Sequence, residues 1–381
     1  MSNLFIINTL TAWDEPPRAR HQFTFALAGK HKVVFVERSK TGKRKIETSE
    51  IQENITLFTP FYPVNYRLRY RIPLLNELYQ NWLFKNLRKT YGDNIIVNFD
   101  FSAYRIFLYF KQVIYYCNDE FKGNSKYRNY VIEAYKIYCE RQIIRRSIFC
   151  IATSRYLKTK LSLYNLRTYE IPLGVSEVGK DVSFRGKQDN PVIVVCLLGV
   201  INERQISVSL INSLLKDDSL HLILIGSIED GFLRQIDTCK RMTLRDVLRG
   251  KELTDALSQV DVGLALYNVE RINPGATPNK LWQYLSVGIP VVISEMPNLD
   301  PADFPASSVY ILKEDRKLKE LIFKAYHENS EQLFKDRIEF ARNNTWDKRI
   351  VMFLEKLREN IPCIIIALGT IYTIFGSHSV N

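Results

Sequence analysis

The sequence predicts an α/β protein made of two doubly wound, Rossmann-like domains. Three observations carry that prediction. Short, unbroken apolar runs such as Ile95-Ile96-Val97, Val192-Ile193-Val194-Val195 and Val291-Val292-Ile293 read as strands buried on both faces. Segments of helical period fall between such runs, at the length a parallel crossover needs. The 381 residues are enough for two domains of ordinary size.

Composition narrows the class of partner. Hydrophobic residues make up 46% and charged residues 25%, which is globular rather than disordered. Of 53 basic and 41 acidic residues, 28 and 14 fall within residues 1–170, a balance of +14; the remaining 25 and 27 give −2 beyond. A basic first half suits anionic lipid, nucleic acid or a phosphorylated substrate. The six cysteines, Cys117, Cys139, Cys150, Cys196, Cys239 and Cys363, are scattered and form no Cys-x-x-Cys pair. Reduced, buried thiols in a cytoplasmic protein are expected, not zinc or a disulfide framework. Leu4–Asn8 is too short for the apolar core of a signal peptide and runs into Trp13-Asp14-Glu15-Pro16-Pro17.

Leu4-Phe5-Ile6-Ile7 reads as the first strand. Asn8–Pro17 is a loop, and Arg18–Gly29 a helix with Phe23, Leu27 and Ala28 inward. Lys32–Glu37 is the second strand. In a doubly wound sheet, ligands sit at the carboxyl ends of strands, so Trp13 through Arg20 faces the ligand cleft. Residues 38–50 are polar and read as a loop. From Pro60 to Trp82, Tyr62, Tyr66, Tyr70, Tyr79 and Trp82 interleave with Arg67, Arg69 and Arg71. That pattern suits the headgroup layer of an anionic membrane, or a helix with solvated charges. It also suits single-stranded nucleic acid, but no nucleic-acid-recognition motif accompanies it, so no such partner is expected.

Ile95–Asp100 and Val113–Asp119 read as strands that each deliver an Asp to the cleft edge. A carboxylate there either takes a proton from a substrate hydroxyl or caps a turn. Glu133–Arg145 is helical, Phe149–Ser154 a strand and Arg155 to about Leu163 a helix. Tyr169–Val175 ends the first domain, and Ser176–Asn190 is polar and aperiodic, as a linker is. Val192–Gly199 opens the second domain. Gly199 lets backbone approach a diphosphate, and Arg204 in the following loop can neutralise a phosphate. Neither a Walker loop nor a dinucleotide fingerprint is present. Leu222–Ser227 repeats the strand-then-glycine pattern. Leu244–Leu257 then leads to the Val260–Tyr267 strand.

Pro278–Ile293 is the most informative stretch. Pro278 suits a helix start, Leu281, Tyr284, Leu285 and Val287 recur at helical spacing, and Gly288 with Pro290 stops the helix before Val291-Val292-Ile293. The loop Arg271–Thr277 delivers the chain to that helix N-terminus. Free N–H groups there favour phosphate, and Lys280 in the first turn adds a full charge. The plainer alternative is an ordinary crossover helix with Lys280 solvated. Ile361–Phe375 then runs apolar for fifteen residues, short of the roughly 20 that span a bilayer. It can lie in an interface, dock on the protein or stay disordered.

Pro-x-Lys-Leu-x-x-Tyr-Leu-x-x-Gly-x-Pro-Val-Val, as Pro278–Val292, resembles the nucleotide-sugar motif of GT-B glycosyltransferases, particularly family-four-like bacterial polysaccharide enzymes. The paired glutamates of that motif fall on Gly275 and Gln283 here. Lys-Leu-x-Gln-Tyr is more similar to the inverting, xanthan-type glucuronosyltransferase. Ile171-Pro172-Leu173-Gly174-Val175 resembles the GT-B interdomain turn, and Asn344–Arg349 the segment returning to the first domain. Tyr115–Glu120 resembles the strand end that carries the catalytic base.

The resemblance implies a GT-B fold with a central cleft, divided as residues 1–175, linker 176–190, residues 191–345, and a returning helix with tail, 346–381. It implies a nucleotide-sugar co-substrate, UDP- or GDP-linked, held by Gly199, Arg204, Tyr267, Glu270, Asn279, Lys280, Leu281 and Gln283. Asp119 is implied as base, with Trp13, Arg18, Arg20, His21 and Asp100 at a saccharide or polyprenyl-linked acceptor. No metal is expected, because no Asp-x-Asp follows a strand. The implied activity is sugar transfer in cell-surface polysaccharide synthesis, at the inner face of the membrane. The missing acids leave two alternatives: another GT-B enzyme such as a nucleotide-sugar epimerase, or a non-catalytic scaffold.

Overall fold

The structure is a computed structural model that describes residues 3–69, 71–120, 130–176, 178–179, 182–186, 192–237, 240–268, 274–275 and 277–361. The chain divides into two compact units: Met1–Pro172 with Trp346–Asn381, and Leu173–Thr345. The 361–375 tail lies outside the described residues, apart from Ile361.

The first unit begins β1 (Leu4–Asn8), α1 (Ala19–Ala28), β2 (Lys32–Val36), β3 (Lys40–Thr41), β4 (Lys45–Gln52) and β5 (Ile55–Tyr62). It continues α2 (Tyr66–Arg69), α3 (Pro73–Tyr91), β6 (Ile95–Asn98), β7 (Val113–Cys117), α4 (Tyr130–Arg146), β8 (Cys150–Ala152), α5 (Arg155–Ser162) and β9 (Thr168–Glu170). The sheet order is β3-β5-β2-β1-β6-β7-β8-β9, with β4 antiparallel to β5. β1 pairs in parallel with β2 on one side and β6 on the other, so strand order reverses between β1 and β6. The apolar runs form the strands because helices cover both faces, leaving Phe5, Ile6, Ile7, Ile96 and Val97 with no exposed surface.

Two expectations fail here. Residues 38–50 are not a loop: they supply β3 and most of β4. Their polarity hid them, because β4 is exposed along nearly its whole length at the sheet's edge. Nor do Tyr62, Arg69 and Tyr79 present themselves at the surface as the interleaved pattern suggests. Tyr62 and Tyr79 are buried and pack on each other and on Trp82, while Arg69 is buried with its guanidinium 3.5 Å from the centre of the Tyr79 ring.

The second unit contains β10 (Ile193–Ile201), α6 (Val208–Leu215), β11 (Leu220–Ile228), α7 (Asp230–Leu233), β12 (Met242–Arg245), α8 (Gly250–Leu257) and β13 (Val262–Ala265). α9 (Asn279–Leu285), β14 (Val291–Ser294), β15 (Val309–Leu312), α10 (Leu318–Glu328) and α11 (Glu331–Arg342) follow. Its sheet is parallel, ordered β12-β11-β10-β13-β14-β15, and reverses between β10 and β13. Leu281, Tyr284, Leu285 and Val287 are buried as their spacing predicts, and Gly288 turns the chain at φ +77°. The last helix, α12 (Trp346–Asn360), packs in the first unit: Phe353 meets Phe23 with ring centres 5.1 Å apart.

Candidate functional site

In the second unit, the carboxyl ends of β10 and β11 both turn on glycine. Gly199 and Gly226 are register partners with φ of +115° and +136°. A Cβ at Gly226 would sit 2.0 Å from the Gly199 carbonyl oxygen, so only glycine permits this approach. The bare Gly199 backbone then leaves room for the Lys280 stem, whose Cε lies 4.0 Å from where a Cβ would be.

Lys280 is held there by the helix that carries it. Gly263 on β13 has no side chain, and the Tyr284 ring fills that space; a Cβ would come within 2.5 Å of it. The Tyr284 hydroxyl donates to the Cys196 carbonyl of β10 at 2.8 Å and lies 3.2 Å from the Leu264 carbonyl of β13. α9 is thereby pinned across the point where strand order reverses, which is where ligands bind in such sheets. The Lys280 ammonium lies 4.6 Å from the centre of the Tyr267 ring, and burial pulls its pKa down to about 8. No carboxylate pairs with it among the described residues. A cation kept in a desolvated place without a protein counter-ion is a ready anion site. The helix spans only seven residues, so the lysine, not the helix dipole, supplies the charge.

The other expected donor residues scatter. Leu281 is fully buried in the core beneath α9, so it cannot touch a ligand. Gln283, Asn279 and Arg204 are exposed, and Glu270 lies outside the described residues.

In the first unit, Arg20, Asp100 and Asp119 gather at the carboxyl ends of β1, β6 and β7. Arg20 donates to Thr11 Oγ1 at 2.6 Å and to Asn118 Oδ1 at 3.4 Å. Burial and the neighbouring Arg18 lower its pKa, against the opposing charges of Asp119 and Asp100. Asp100 is buried and takes hydrogen bonds from the Ser102 N–H and hydroxyl at 2.8 and 2.7 Å. Burial raises its pKa, and Arg69, those two bonds and Arg20 oppose the rise. Asn8 and Asn98, at the ends of β1 and β6, are tied by a 2.8 Å bond that fixes this edge. Asp119 is partly exposed and accepts the Glu120 N–H at 2.9 Å.

Beside Arg20 is a hollow of about 590 Å³ lined by Thr11, Glu15, Arg18, Arg38, Tyr66 and Arg67, among others. Glu15 bonds Arg38 at 2.5 Å and Arg18 at 3.1 Å, and Arg20 and Arg67 line the same hollow. Arg38 is missing from the sequence reading, and Arg67 appears there as part of the aromatic and basic stretch, not at this hollow. Arg38 directly follows Glu37 at a strand end, which was the available signal. His21 does not join the site. It is buried, with its Nδ1 accepting the Arg18 N–H and its Nε2 against the Ala12 carbonyl. The Trp13 ring packs on His21, Phe25 and Phe35, and the Trp13 backbone N–H donates to the Glu37 carboxylate.

Four of the cysteines are buried and unpaired, and the described residues contain no cluster of three or more His, Cys, Asp or Glu suited to a metal. No described helix is long and apolar enough to cross a membrane.

Two doubly wound α/β units in one chain, each with a reversal of strand order, define the GT-B fold class, and solved structures share it. No protein-family profile and no curated protein matches the sequence. Sucrose-phosphate synthase from Thermosynechococcus elongatus is 13% identical with a TM-score of 0.71, over 95% of this chain and 100% of that one. The UDP-forming α,α-trehalose-phosphate synthase of Burkholderia xenovorans, solved with glucose-6-phosphate, is 10% identical with a TM-score of 0.65, over 94% and 100%. HepE of Anabaena, solved with UDP, is 11% identical with a TM-score of 0.61, over 93% and 100%. At these identities the likeness is one of fold.

Proposed function

We propose that the chain is a glycosyltransferase that moves a hexosyl or uronosyl group from a UDP- or GDP-linked sugar to a saccharide or polyprenyl-linked saccharide. The setting is cell-surface polysaccharide synthesis on the cytoplasmic face of the membrane. The observation that carries the reading is Lys280: a desolvated ammonium, with no carboxylate paired to it among the described residues, over Tyr267 and against the bare backbone of Gly199. Solved structures of the same fold that bind UDP or form it support the choice of ligand.

In this reading the second unit binds the donor, with its diphosphate on Lys280 and the Gly199 turn, and with Tyr267 beside it. Arg204, Asn279, Gln283 and Glu270 are assigned to the outer part of the donor. The first unit binds an anionic acceptor in the arginine hollow, through Arg18 and Arg20, with Asp100 fixing that edge. Asp119 takes the proton from the acceptor hydroxyl as its oxygen bonds the anomeric carbon. The bond from that carbon to the diphosphate breaks, and the nucleoside diphosphate leaves with both electrons. Lys280 stabilises the charge that develops on it, the role a divalent cation otherwise fills.

Calorimetry with UDP and GDP on the wild type and Lys280→Ala tests the donor site. Binding that disappears in a folded variant supports the reading; equal affinity in both removes it. Product analysis with a donor alone separates transfer from epimerisation of the sugar.

A further inference from the structure

Tyr62 and Tyr79, two of the aromatics expected to meet a membrane, are turned inward, yet the same stretch keeps an apolar surface of a different kind. Leu68, Ile72, Leu74 and Leu78 are 55%, 44%, 65% and 50% exposed. They sit on α2, on the connection and on the first turns of α3, with Leu74 and Leu78 four apart on one helix face. Arg67 lies exposed just before them and Arg71 exposed among them, and no Asp or Glu occurs from Asn54 to Asn76. Exposed aliphatic side chains grouped this closely mark an interaction surface. The arginines among them, on a unit whose sequence carries a large positive balance, select an anionic partner.

α2 joins this surface to the arginine hollow. Tyr66 and Arg67 line the hollow, and Leu68, the next residue, is exposed. A ligand whose head is anionic and whose body is apolar would meet both features along one turn of helix.

We propose that Leu68, Ile72, Leu74 and Leu78, with Arg67 and Arg71, dock the first unit on an anionic bilayer, and that the arginine hollow takes the phosphate-bearing head of an acceptor whose lipid stays in that bilayer. The identity of the acceptor rests on the transferase reading; the docking does not. Insertion of the aliphatic side chains provides the apolar contribution, and Arg71 attraction to the headgroups.

The full chain is sedimented with vesicles of phosphatidylglycerol and phosphatidylcholine, and with phosphatidylcholine alone, in the absence of nucleotide. Wild type is expected to bind the anionic vesicles and to lose most of that binding in high salt. Leu74→Ser with Leu78→Ser should weaken partition at least tenfold, and Arg71→Gln about fivefold. Circular dichroism and retained UDP affinity establish that the variants are folded. Wild type that ignores anionic vesicles, or a double variant that binds them equally well, overturns the proposal. So does a wild-type dimer in light scattering that the double variant dissolves, because a second copy then covers the face. Loss of UDP binding with vesicle binding intact removes the transferase reading and leaves the docking.

Discussion

The Lys280 ammonium sits 4.6 Å from the centre of the Tyr267 ring, next to a strand end that has no side chain. An aromatic face partly compensates a cation that has lost water, but it does not neutralise it. The result is a lysine that gives up its proton near pH 8 rather than 10.5.

That pKa sets a pH dependence. In the free protein Lys280 is charged below about 8 and neutral above it. UDP affinity is therefore expected to fall as pH rises from 7 to 9.5, approaching tenfold per unit, and Lys280→Ala should abolish the slope. Stability of the free protein runs the other way. Between 8 and 10.5 the unfolded lysine holds a proton that the folded one has released, so this residue's contribution makes the fold more stable as pH rises across that window. Calorimetry in paired buffers should also detect proton uptake on binding above pH 8.

Asp119→Asn is expected to lower turnover by about 10²–10⁴-fold with UDP affinity unchanged. Wild-type turnover in that variant would remove Asp119 as the base.

Arg20→Met should act on the acceptor side alone. Its predicted signature is a raised acceptor KM with donor affinity intact, because Arg20 bonds Thr11 and Asn118 within the first unit. A variant that lost donor binding instead would point to a different role.

Tyr284→Phe removes the hydroxyl that spans the Cys196 and Leu264 carbonyls. A loss of about 1–2 kcal/mol in urea unfolding is expected. Gly263→Ala forces a methyl into the Tyr284 ring and should cost about 1–3 kcal/mol or more. If that variant is as stable as wild type, α9 is not seated on β13 as described.

Arg337 is fully buried in the second unit, bonding the Gly288 carbonyl at 2.8 Å, the Ser307 carbonyl at 3.1 Å and the Asn329 side chain. Burial holds its pKa down at about 10. Arg337→Met leaves those oxygens unsatisfied and should destabilise by about 2–4 kcal/mol. Arg337→Lys is expected to recover little, because one ammonium cannot reproduce the planar fork.

Strands and their alternation with helices were legible because a strand covered on both faces must be apolar along its length. Phe5-Ile6-Ile7, Ile95-Ile96-Val97 and Val291-Val292-Ile293 show that locally. β4 was not legible, since an exposed edge strand needs no apolar residues. The position of Lys280 in the first turn of a helix after a strand and loop was legible too, although the absence of a carboxylate partner among the described residues was not. The family resemblance placed Leu281 at a ligand, whereas its helical spacing placed it in the core, where α9 packs it.

What remained was decided by contacts between distant parts of the chain. His21 was read as a ligand contact by its neighbours in sequence, yet the turn at Ala12 and the Arg18 N–H occupy its ring. Arg20 meets Asn118 from 98 residues away, and Arg38 from beyond the end of β2 and Arg67 from α2 line the same hollow. Tyr62, Arg69 and Tyr79 pack inward, while Leu68 and Leu74 face out, the reverse of what their polarity suggests. Local pattern reports how much apolar surface an element must bury. Which side chains fill that space, and which charges are left facing a hollow, depends on how sheet and helices close over one another.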